Sequence, residues 1–149
     1  MRLRRPEPHE LPLLSALCLR SKAVWGYDEA FLEACRAELT IHAEELESTP
    51  LCVAEHNGAI VGVAQIVVDG AVADLQKLFI EPSAIGLGVG RSLFAWVIST
   101  AKDLGARHLT IDADPGAVGF YKRMGAAEHG LVPSGSIPGR MLPRLQIDL

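Results

Sequence analysis

Three glycines alternate with other residues at Gly86, Gly88 and Gly90, after an apolar run that ends at Pro82. Apolar residues recur at helical spacing after Arg91, so the predicted order is strand, glycine-rich turn and helix. The first turn of a helix has backbone N–H groups without partners and carries about half a positive charge, so it favours an anion. Glycines just before it let the backbone approach a phosphate group closely. A glycine-rich turn can also be only a turn, so this pattern alone indicates no more than a candidate phosphate site.

Two common nucleotide-binding motifs do not fit this turn. A P-loop requires a lysine and then serine or threonine after its last glycine, and no lysine follows any of the three glycines. A dinucleotide-binding fingerprint has the spacing Gly-x-Gly-x-x-Gly near the start of a βαβ unit. Here the spacing is Gly-x-Gly-x-Gly, and half of the chain precedes it. The sequence therefore disfavours both kinds of site.

The turn resembles motif A of the GCN5-related N-acetyltransferase (GNAT) superfamily, which is usually written Gln/Arg-x-x-Gly-x-Gly/Ala. On this chain the motif positions are Ile85, Gly88 and Gly90, followed by Arg91, so Ile85 departs from the usual polar residue. Residues 112–126 are similar to a later motif of the same superfamily, Phe-Tyr-x-x-x-Gly. The resemblance covers about residues 50 to 132, with both motifs in the family's order. The segment at residues 21–27 also resembles a sequence motif of a poorly characterised bacterial subgroup of acetyltransferase-like proteins.

The resemblance implies an α/β fold with a mixed, mostly antiparallel central sheet and helices on both faces, the GNAT-like acyl-CoA N-acyltransferase fold. A length of 149 residues with 49% hydrophobic content suits a single domain over residues 1–149. Two hairpin signals, Asn57–Gly58 and Asp69–Gly70, predict three antiparallel strands in succession.

Periodicity and turn residues place the elements of this fold. The predicted strands are Met1–Arg5 at an edge, Leu51–His56, Ala59–Val68, Ala71–Ile80, His108–Asp114, Ala126–Val132 and Met141–Leu149. The predicted helices are His9–Arg20, a helix from an N-cap at Asp28 to Leu39, the helix after the glycine turn, and one between Pro115 and Gly125.

The resemblance further implies acetyl-coenzyme A (acetyl-CoA) as the cosubstrate, with its pyrophosphate bound by the amides of the glycine turn. It implies a splay between the strand that ends at Ile80 and its parallel neighbour, which frees main-chain groups for the pantetheine arm. Asp114 lies near the position where relatives often carry an asparagine. The predicted cofactor-binding residues are Leu78, Phe79, Ile80, Ile85, Gly86, Leu87, Gly88, Val89, Gly90, Arg91, Ser92, Asp114, Ala117, Phe120 and Tyr121.

Attack of an amine on an acyl thioester requires a neutral amine and a proton for the departing thiolate. Tyr121, in Phe-Tyr-Lys-Arg-Met-Gly, matches the family tyrosine whose hydroxyl lies near the thioester sulfur. The resemblance therefore makes Tyr121 the predicted general acid. The alternative is a tyrosine that packs on its helix with a satisfied hydroxyl.

Asp74 is the predicted general base. Members resembling histone acetyltransferases carry, on the same strand, a glutamate that acts through water. The two-residue period of a strand predicts one face shared by Asp74, Gln76, Leu78 and Ile80, with Glu81, the second candidate base, on the opposite face. A solvated carboxylate after the Asp69–Gly70 turn is an equally weighted alternative for Asp74.

Three residues are predicted to bind the acceptor. Trp25 and Tyr27 lie in the loop between the first two helices, where aromatic residues can either line a pocket or fill the core. In the family this region shapes the acceptor site, which favours the pocket. Arg140, in a loop rich in glycine and proline, can select an acidic group on the acceptor, or it can be solvated.

Composition excludes several classes of function. A net charge of −4 and a pI near 5.7 argue against a nucleic-acid partner, which requires a basic surface. No apolar run reaches the roughly 18 residues of a membrane span, and no signal peptide is evident, so a cytoplasmic protein without a membrane partner is expected. Cys18, Cys35 and Cys52 are predicted to be buried free thiols, and the histidines lack ligand spacing, so no metal site is predicted.

The leading functional prediction is an enzyme, an acetyl-CoA-dependent N-acetyltransferase. It would acetylate a primary amine, on a small molecule or a peptide, by direct attack in a ternary complex. The alternative is a catalytically silent domain that binds or senses CoA, and a third option is an unrelated phosphate-binding domain. A homodimer through the closing strands is also open.

Overall fold

Seven strands form one sheet in the computed structural model, which describes residues 1–149. In chain order they are β1 (Arg2–Arg4), β2 (Leu51–His56), β3 (Ala59–Asp69), β4 (Val72–Ile80), β5 (His108–Asp112), β6 (Ala127–Pro133) and β7 (Met141–Asp148). Their order in space is β1-β2-β3-β4-β5-β7-β6. Only β4 and β5 are parallel, because a helix connects them, and all other neighbours are antiparallel. The predicted mixed, mostly antiparallel sheet is confirmed.

Helices cover both faces of this sheet, as predicted. They are α1 (Leu11–Ala23), α2 (Glu29–Leu39), α3 (Ala43–Ser48), α4 (Val89–Asp103) and α5 (Val118–Arg123), with short 3-10 turns at Pro8–Glu10, Pro82–Ala84 and Pro115–Ala117. One hydrophobic core joins α4 and α5 to the sheet, and a second joins α1, α2 and α3 to the other face. Each helix therefore buries one apolar face against the strands.

The first turn and the cap of the second helix are confirmed, whereas the second hairpin turn lies one residue later than the predicted Asp69–Gly70, at Gly70–Ala71, because Asp69 pairs with Val72. Asn57 and Gly58 have φ values of 51° and 80°, as the tight turn between β2 and β3 requires. The carboxylate of Asp28 accepts a hydrogen bond from the Phe31 amide (2.8 Å) and caps α2. The first helix differs from its predicted range, since it begins at Leu11 and continues to Ala23.

Strand β4 contains a bulge that the two-residue period did not predict. Lys77 pairs with Gln65, but the next pair along the strands is Leu75 with Ile66, so Gln76 is an extra residue. An extra residue reverses the alternation of side chains on either side of it.

The bulge corrects the predicted facing of this strand. Leu75 belongs to the core under α4, and Leu78 and Ile80 pack against the same core. Asp74 alternates with Leu75 and therefore points to the opposite face, where the Gln76 amide donates a hydrogen bond to its carboxylate (2.6 Å). The prediction that Asp74 shares a face with Leu78 and Ile80 is wrong.

The three cysteines are buried and free, as predicted. Burial raises the pKa of Cys52 to about 11 and the pKa of Cys18 to about 12. Both thiols therefore stay protonated and unreactive near neutral pH.

None of the helices has the length and apolar character that crossing a membrane requires.

Candidate functional site

A cleft opens where β4 and β5 separate. The two strands pair from Val72 and His108 up to Leu75 and Ile111, but β4 continues to Ile80 without a partner on that side. A cavity of about 420 Å³ occupies this region. Its walls come from α1, α2, the second half of β4, the end of β5, α5 and the loop between β6 and β7.

Main-chain groups of β4 face the cleft. The Glu81 amide donates to the Val61 carbonyl of β3 (2.8 Å), and antiparallel pairing alternates, so the main chains of Ile80 and Leu78 point away from β3. The Ile80 amide donates to the Ser21 hydroxyl across the cleft (3.3 Å). By the same alternation, the Phe79 main chain faces β3, although Phe79 is among the residues that line the cavity.

The glycine turn leads into α4 with several unpaired amides. Gly86 and Gly88 have φ values of 91° and 79°, which L side chains rarely adopt. Ser92 is the first helical residue whose amide reaches a backbone carbonyl, that of Gly88 (3.1 Å). Five amides donate no hydrogen bond within the protein, those of Gly86, Gly88, Val89, Gly90 and Arg91. Amides in such an arrangement, at the positive end of a helix dipole, are suited to bind a phosphate group.

The predicted cofactor-binding residues divide into two groups. Nine of them line the cavity, namely Leu78, Phe79, Ile80, Ile85, Gly90, Asp114, Ala117, Phe120 and Tyr121. The other six are outside its lining, namely Gly86, Leu87, Gly88, Val89, Arg91 and Ser92. Because these six lie between or directly after Ile85 and Gly90 in the chain, the glycine turn forms the edge of the cavity.

Tyr121 lies on α5 and is buried at the wall of the cavity. Its ring packs against the rings of Phe94 and Phe120, with centroid distances of 5.9 and 5.2 Å. Its hydroxyl makes no hydrogen bond with the protein, and every fully buried polar side-chain atom in the structure has a partner. The hydroxyl is therefore open to the cavity. Burial raises the pKa of Tyr121, so the hydroxyl stays protonated.

The two candidate bases do not line the cavity. The Asp74 carboxylate accepts hydrogen bonds from Thr110 (2.6 Å) and Gln76 (2.6 Å). Burial and the negative charge of Asp112 raise the pKa of Asp74. Glu81 forms a two-point ion pair with Arg20 (2.7 and 2.9 Å), which lowers the pKa of Glu81. The structure does not bring either carboxylate to Tyr121, and the role of Asp74 stays a prediction.

Two neighbours of Asp74 do reach the cavity, Gln76 and Asp112. The Asp112 carboxylate is bound by Arg144 through Nε (2.7 Å) and Nη2 (3.1 Å). Gln76 lines the cavity and donates a hydrogen bond to Asp74, so Gln76 lies between Asp74 and the cavity. Sequence reasoning missed both lining residues, because the one-residue bulge at Gln76 leaves no mark in the hydrophobic pattern and Asp112 comes near Asp74 only through the pairing of β4 with β5.

A cluster of charged and aromatic side chains lies at the cavity wall around Asp114. The Tyr27 hydroxyl donates to Asp114 Oδ2 (2.6 Å) and accepts from Arg140 Nη2 (2.6 Å). Lys22 Nζ and Arg140 Nη2 lie 3.5 and 3.6 Å from the same Asp114 oxygen. Burial and the Asp114 carboxylate raise the pKa of Tyr27, with Arg140 opposing them, so Tyr27 stays a donor to Asp114.

The structure brings together the predicted acceptor residues, although not all in the same way. Trp25 and Arg140 line the cavity, whereas Tyr27 does not and instead holds Arg140 and Asp114 in place. The Trp25 ring packs so closely on Gly116 that an added Cβ would lie 2.7 Å from it. Lys22 also lines the cavity, and sequence reasoning missed it because its partner Asp114 is far along the chain.

A family model described as an acetyltransferase (GNAT) domain matches residues 16–132. The chain belongs to the GNAT acetyltransferase family. An uncharacterized N-acetyltransferase (ycf52-like) of Prochlorococcus marinus is 31% identical over 67 residues, which cover 44% of this chain and 37% of that relative. The chain thus matches well under half the length of that curated relative.

Two solved structures are similar to this GNAT domain over its whole length. A GCN5-related N-acetyltransferase from Rhodopseudomonas palustris is 24% identical, with a TM-score of 0.81, over 99% of this chain and 95% of that one. PaiA N-acetyltransferase from Thermoplasma acidophilum, in complex with coenzyme A, is 15% identical, with a TM-score of 0.82, over 99% and 98%. At these identities the likeness establishes the GNAT fold, which confirms the predicted fold class.

Proposed function

We propose that this GNAT domain is an acetyl-CoA-dependent N-acetyltransferase that acetylates a primary amine by direct attack, with both substrates bound together. The observation that carries the proposal is the Tyr121 hydroxyl, which is protonated, unpartnered and open to a cavity between two separated strands. A coenzyme A complex of PaiA N-acetyltransferase, which has the same fold, supports the choice of cosubstrate.

The residues of the cleft fit acetyl-CoA. The free amides of the glycine turn would hold its pyrophosphate, and the main chain of Leu78 and the carbonyl of Ile80 would pair with its pantetheine arm, since the Ile80 amide donates to Ser21. When bound, acetyl-CoA supplies an acetyl group activated as a thioester. Ile85, where the family motif has a polar residue, is exposed and contributes no polar contact.

Tyr121 is the proposed acid. As the new C–N bond forms and the C–S bond breaks, its hydroxyl gives a proton to the departing sulfur, and the amine loses a proton to a base. A positioned acid of this kind contributes about 10²-fold or more to the rate.

Asp74 is the proposed base. An alkylamine has a pKa near 10.4, so its deprotonation at pH 7 costs about 4 to 5 kcal/mol. The raised pKa of Asp74 suits it to accept a proton, and its hydrogen bond to Gln76 puts it next to the cavity wall. A water molecule at that wall has to carry the proton, since Asp74 does not line the cavity itself. Asp112 does line the cavity, but Arg144 occupies its carboxylate with two hydrogen bonds.

The test is calorimetric titration of the protein with acetyl-CoA and with CoA. Gly88→Glu is expected to abolish binding, because it puts a carboxylate among the free amides at a position with φ of 79°. Gly58→Glu is the matched control, since Gly58 has φ of 80° in an exposed hairpin turn with nothing nearby. It imposes the same backbone strain away from the cleft and should leave binding intact.

Turnover is measured on the same samples as thiol release with a panel of primary amines. Absence of acetyl-CoA binding in the wild type would overturn the proposal. Tight binding without transfer to any amine would instead support the silent CoA-binding alternative.

A further inference from the structure

The cavity is more positive than the molecule that contains it. Its wall has four cationic residues, Lys22, Lys77, Arg123 and Arg140, and three acidic ones, Glu38, Asp112 and Asp114, although the chain has a net charge of −4. Two of the three acids have other partners, since Asp112 pairs with Arg144 and Glu38 accepts a hydrogen bond from Ser136. The cluster around Asp114 holds two of the four cations, Lys22 and Arg140, against one carboxylate, so it has a net positive charge of its own.

Within that cluster, the single carboxylate of Asp114 pairs with two cations. Lys22 Nζ and Arg140 Nη2 approach the same oxygen of Asp114, at 3.5 and 3.6 Å. The side chains of Lys22, Arg140 and Asp114 are only 16%, 19% and 11% exposed, so solvent screens their charges weakly. A second anion between the two cations would balance the remaining positive charge.

The two cations also have hydrogen-bond donors to offer. Arg140 forms a hydrogen bond only through Nη2, to the Tyr27 hydroxyl, which leaves its Nε and Nη1 groups free. Lys22 makes no hydrogen bond, since its contact with Asp114 is 3.5 Å long. No fully buried polar atom lacks a partner, so these free donors are open to the cavity or to solvent.

The Arg140 guanidinium is already held in position. It lies 5.1 Å from the centroid of the Tyr27 ring and 4.9 Å from that of Phe31, and those two rings stack at 3.9 Å. A planar guanidinium with two free donors matches the geometry of a carboxylate. Little further ordering is needed when such an anion binds.

We propose that the acceptor is an amino acid, whose carboxylate binds between Lys22 and Arg140. This inference rests on the proposed N-acetyltransferase function and specifies its substrate class. Apolar side chains line the same cavity, among them Val24, Cys35, Leu39, Phe79 and Leu142, so the side chain of the amino acid is apolar. The amine then points toward the cleft where Tyr121 lies.

The experiment compares acceptors that carry a carboxylate with acceptors of similar shape that lack it. L-leucine, L-leucinamide and 3-methylbutylamine are tested at saturating acetyl-CoA, with thiol release as the readout, and L-methionine and its amide form a second pair. The acids are expected to have kcat/KM values about 10- to 100-fold above those of the amides and the simple amine, as charge-assisted hydrogen bonds give. Lys22→Met and Arg140→Met should each remove most of this preference.

The ratio of kcat/KM for the acids to kcat/KM for the amides distinguishes loss of the anion site from a general loosening of the cluster. A variant that only loosened the cluster would lower turnover of acids and amides alike, whereas loss of the anion site lowers turnover of the acids alone. Arg36→Met is the matched control, because Arg36 is an exposed cation on α2 that pairs with Glu33 and does not line the cavity. It should leave the ratio unchanged.

Binding provides a readout without turnover. N-acetyl-leucine is expected to bind to the CoA-saturated protein at least about 10-fold more tightly than N-acetyl-leucinamide. Amides or simple amines that are acetylated as well as the acids would overturn this inference and leave the proposed function standing. Transfer to no member of the panel, with acetyl-CoA still bound, would count against both.

Discussion

The Tyr121 side chain is fixed by apolar contacts and has a free polar end. Its ring packs at tilted and edge-on angles against Phe94 and Phe120, which restricts the ring to one position. Its hydroxyl has no protein partner, so the fold gains nothing from it. A hydroxyl that is attached to a buried ring and has no hydrogen-bond partner in the protein is typical of a catalytic residue.

Tyr121→Phe removes only this hydroxyl. We expect kcat for acetyl transfer to fall by about 10²-fold, the lower range for a positioned acid, because the departing thiolate loses its proton donor. The melting temperature and the affinity for acetyl-CoA should stay close to wild type, since no protein hydrogen bond is lost. Steady-state kinetics, thermal unfolding and calorimetry on the same preparation measure the three quantities.

An unchanged kcat in this variant would exclude Tyr121 as the acid. The pH profile adds a second check. Burial raises the pKa of Tyr121 above its ordinary value of 10.0, so the acid form persists to at least that pH. Any fall in rate on the alkaline side below pH 10 must therefore come from another group.

At the scale of the elements, short-range signals in the sequence were reliable. The Asn57–Gly58 turn and the Asp28 cap depend on residues that are close in the chain, and both are confirmed, while the second hairpin turn is displaced by only one residue. Helix α3 was missed because it is short and buries only Leu46, too little for a helical period to appear.

Features that depend on one added residue or on distant partners were not predictable from the pattern. The bulge at Gln76 inserts a single residue into β4, and a period of two cannot indicate where this happens. It placed Asp74 on the face opposite to Leu78 and Ile80. The cluster of Lys22, Asp114 and Arg140 joins the end of α1 to two loops that are far away in sequence, so only the folded chain brings these charges together.

Gly62 links strand packing to the position of the glycine turn. It lies in β3 beneath the first turns of α4, where an added Cβ would lie 2.8 Å from both Val89 and Leu93. Glycine inside a strand often marks such a close approach. The start of α4, which follows the glycine turn, can therefore pack this closely on β3 only because Gly62 has no side chain.

Gly62→Ala is expected to push the start of α4 away from β3. Overpacking in a tight core costs about 1 to 3 kcal/mol, so the melting temperature should fall, and the affinity for acetyl-CoA should fall because the free amides move. Gly119→Ala is the control for stability, since its added Cβ meets only the flexible end of Arg123 at 3.4 Å. Thermal unfolding compares both variants, and calorimetry tests Gly62→Ala alone because Gly119 lines the cavity; wild-type values for Gly62→Ala would show that α4 does not depend on this contact.

On the scale of the whole molecule, ion pairs join the edge of the sheet to the helical layer. The edge strand β1 is joined to the start of α1 by Arg4, whose Nη1 and Nη2 groups donate to both carboxylate oxygens of Glu10 (2.8 Å each). The Glu7 amide donates to the same carboxylate (2.7 Å). These contacts lower the pKa of Glu10 from 4.5 to about 2. The pair at Glu33 and Arg36 is far more exposed and should contribute little.

The lowered pKa of Glu10 predicts how stability depends on acid. Its folded-state pKa lies below the unfolded one, so its contribution is complete above about pH 4.5 and is lost as the pH falls toward 2. Glu10→Gln should lower the free energy of unfolding at pH 7 by about 1 kcal/mol and the melting temperature by about 2 to 4 °C. The difference from wild type should shrink below pH 4.5, whereas Glu33→Gln should match wild type throughout. Thermal unfolding between pH 7 and pH 2.5 measures this, and a difference that stays constant to pH 2.5 would mean that Glu10 holds β1 by packing and not by its charge.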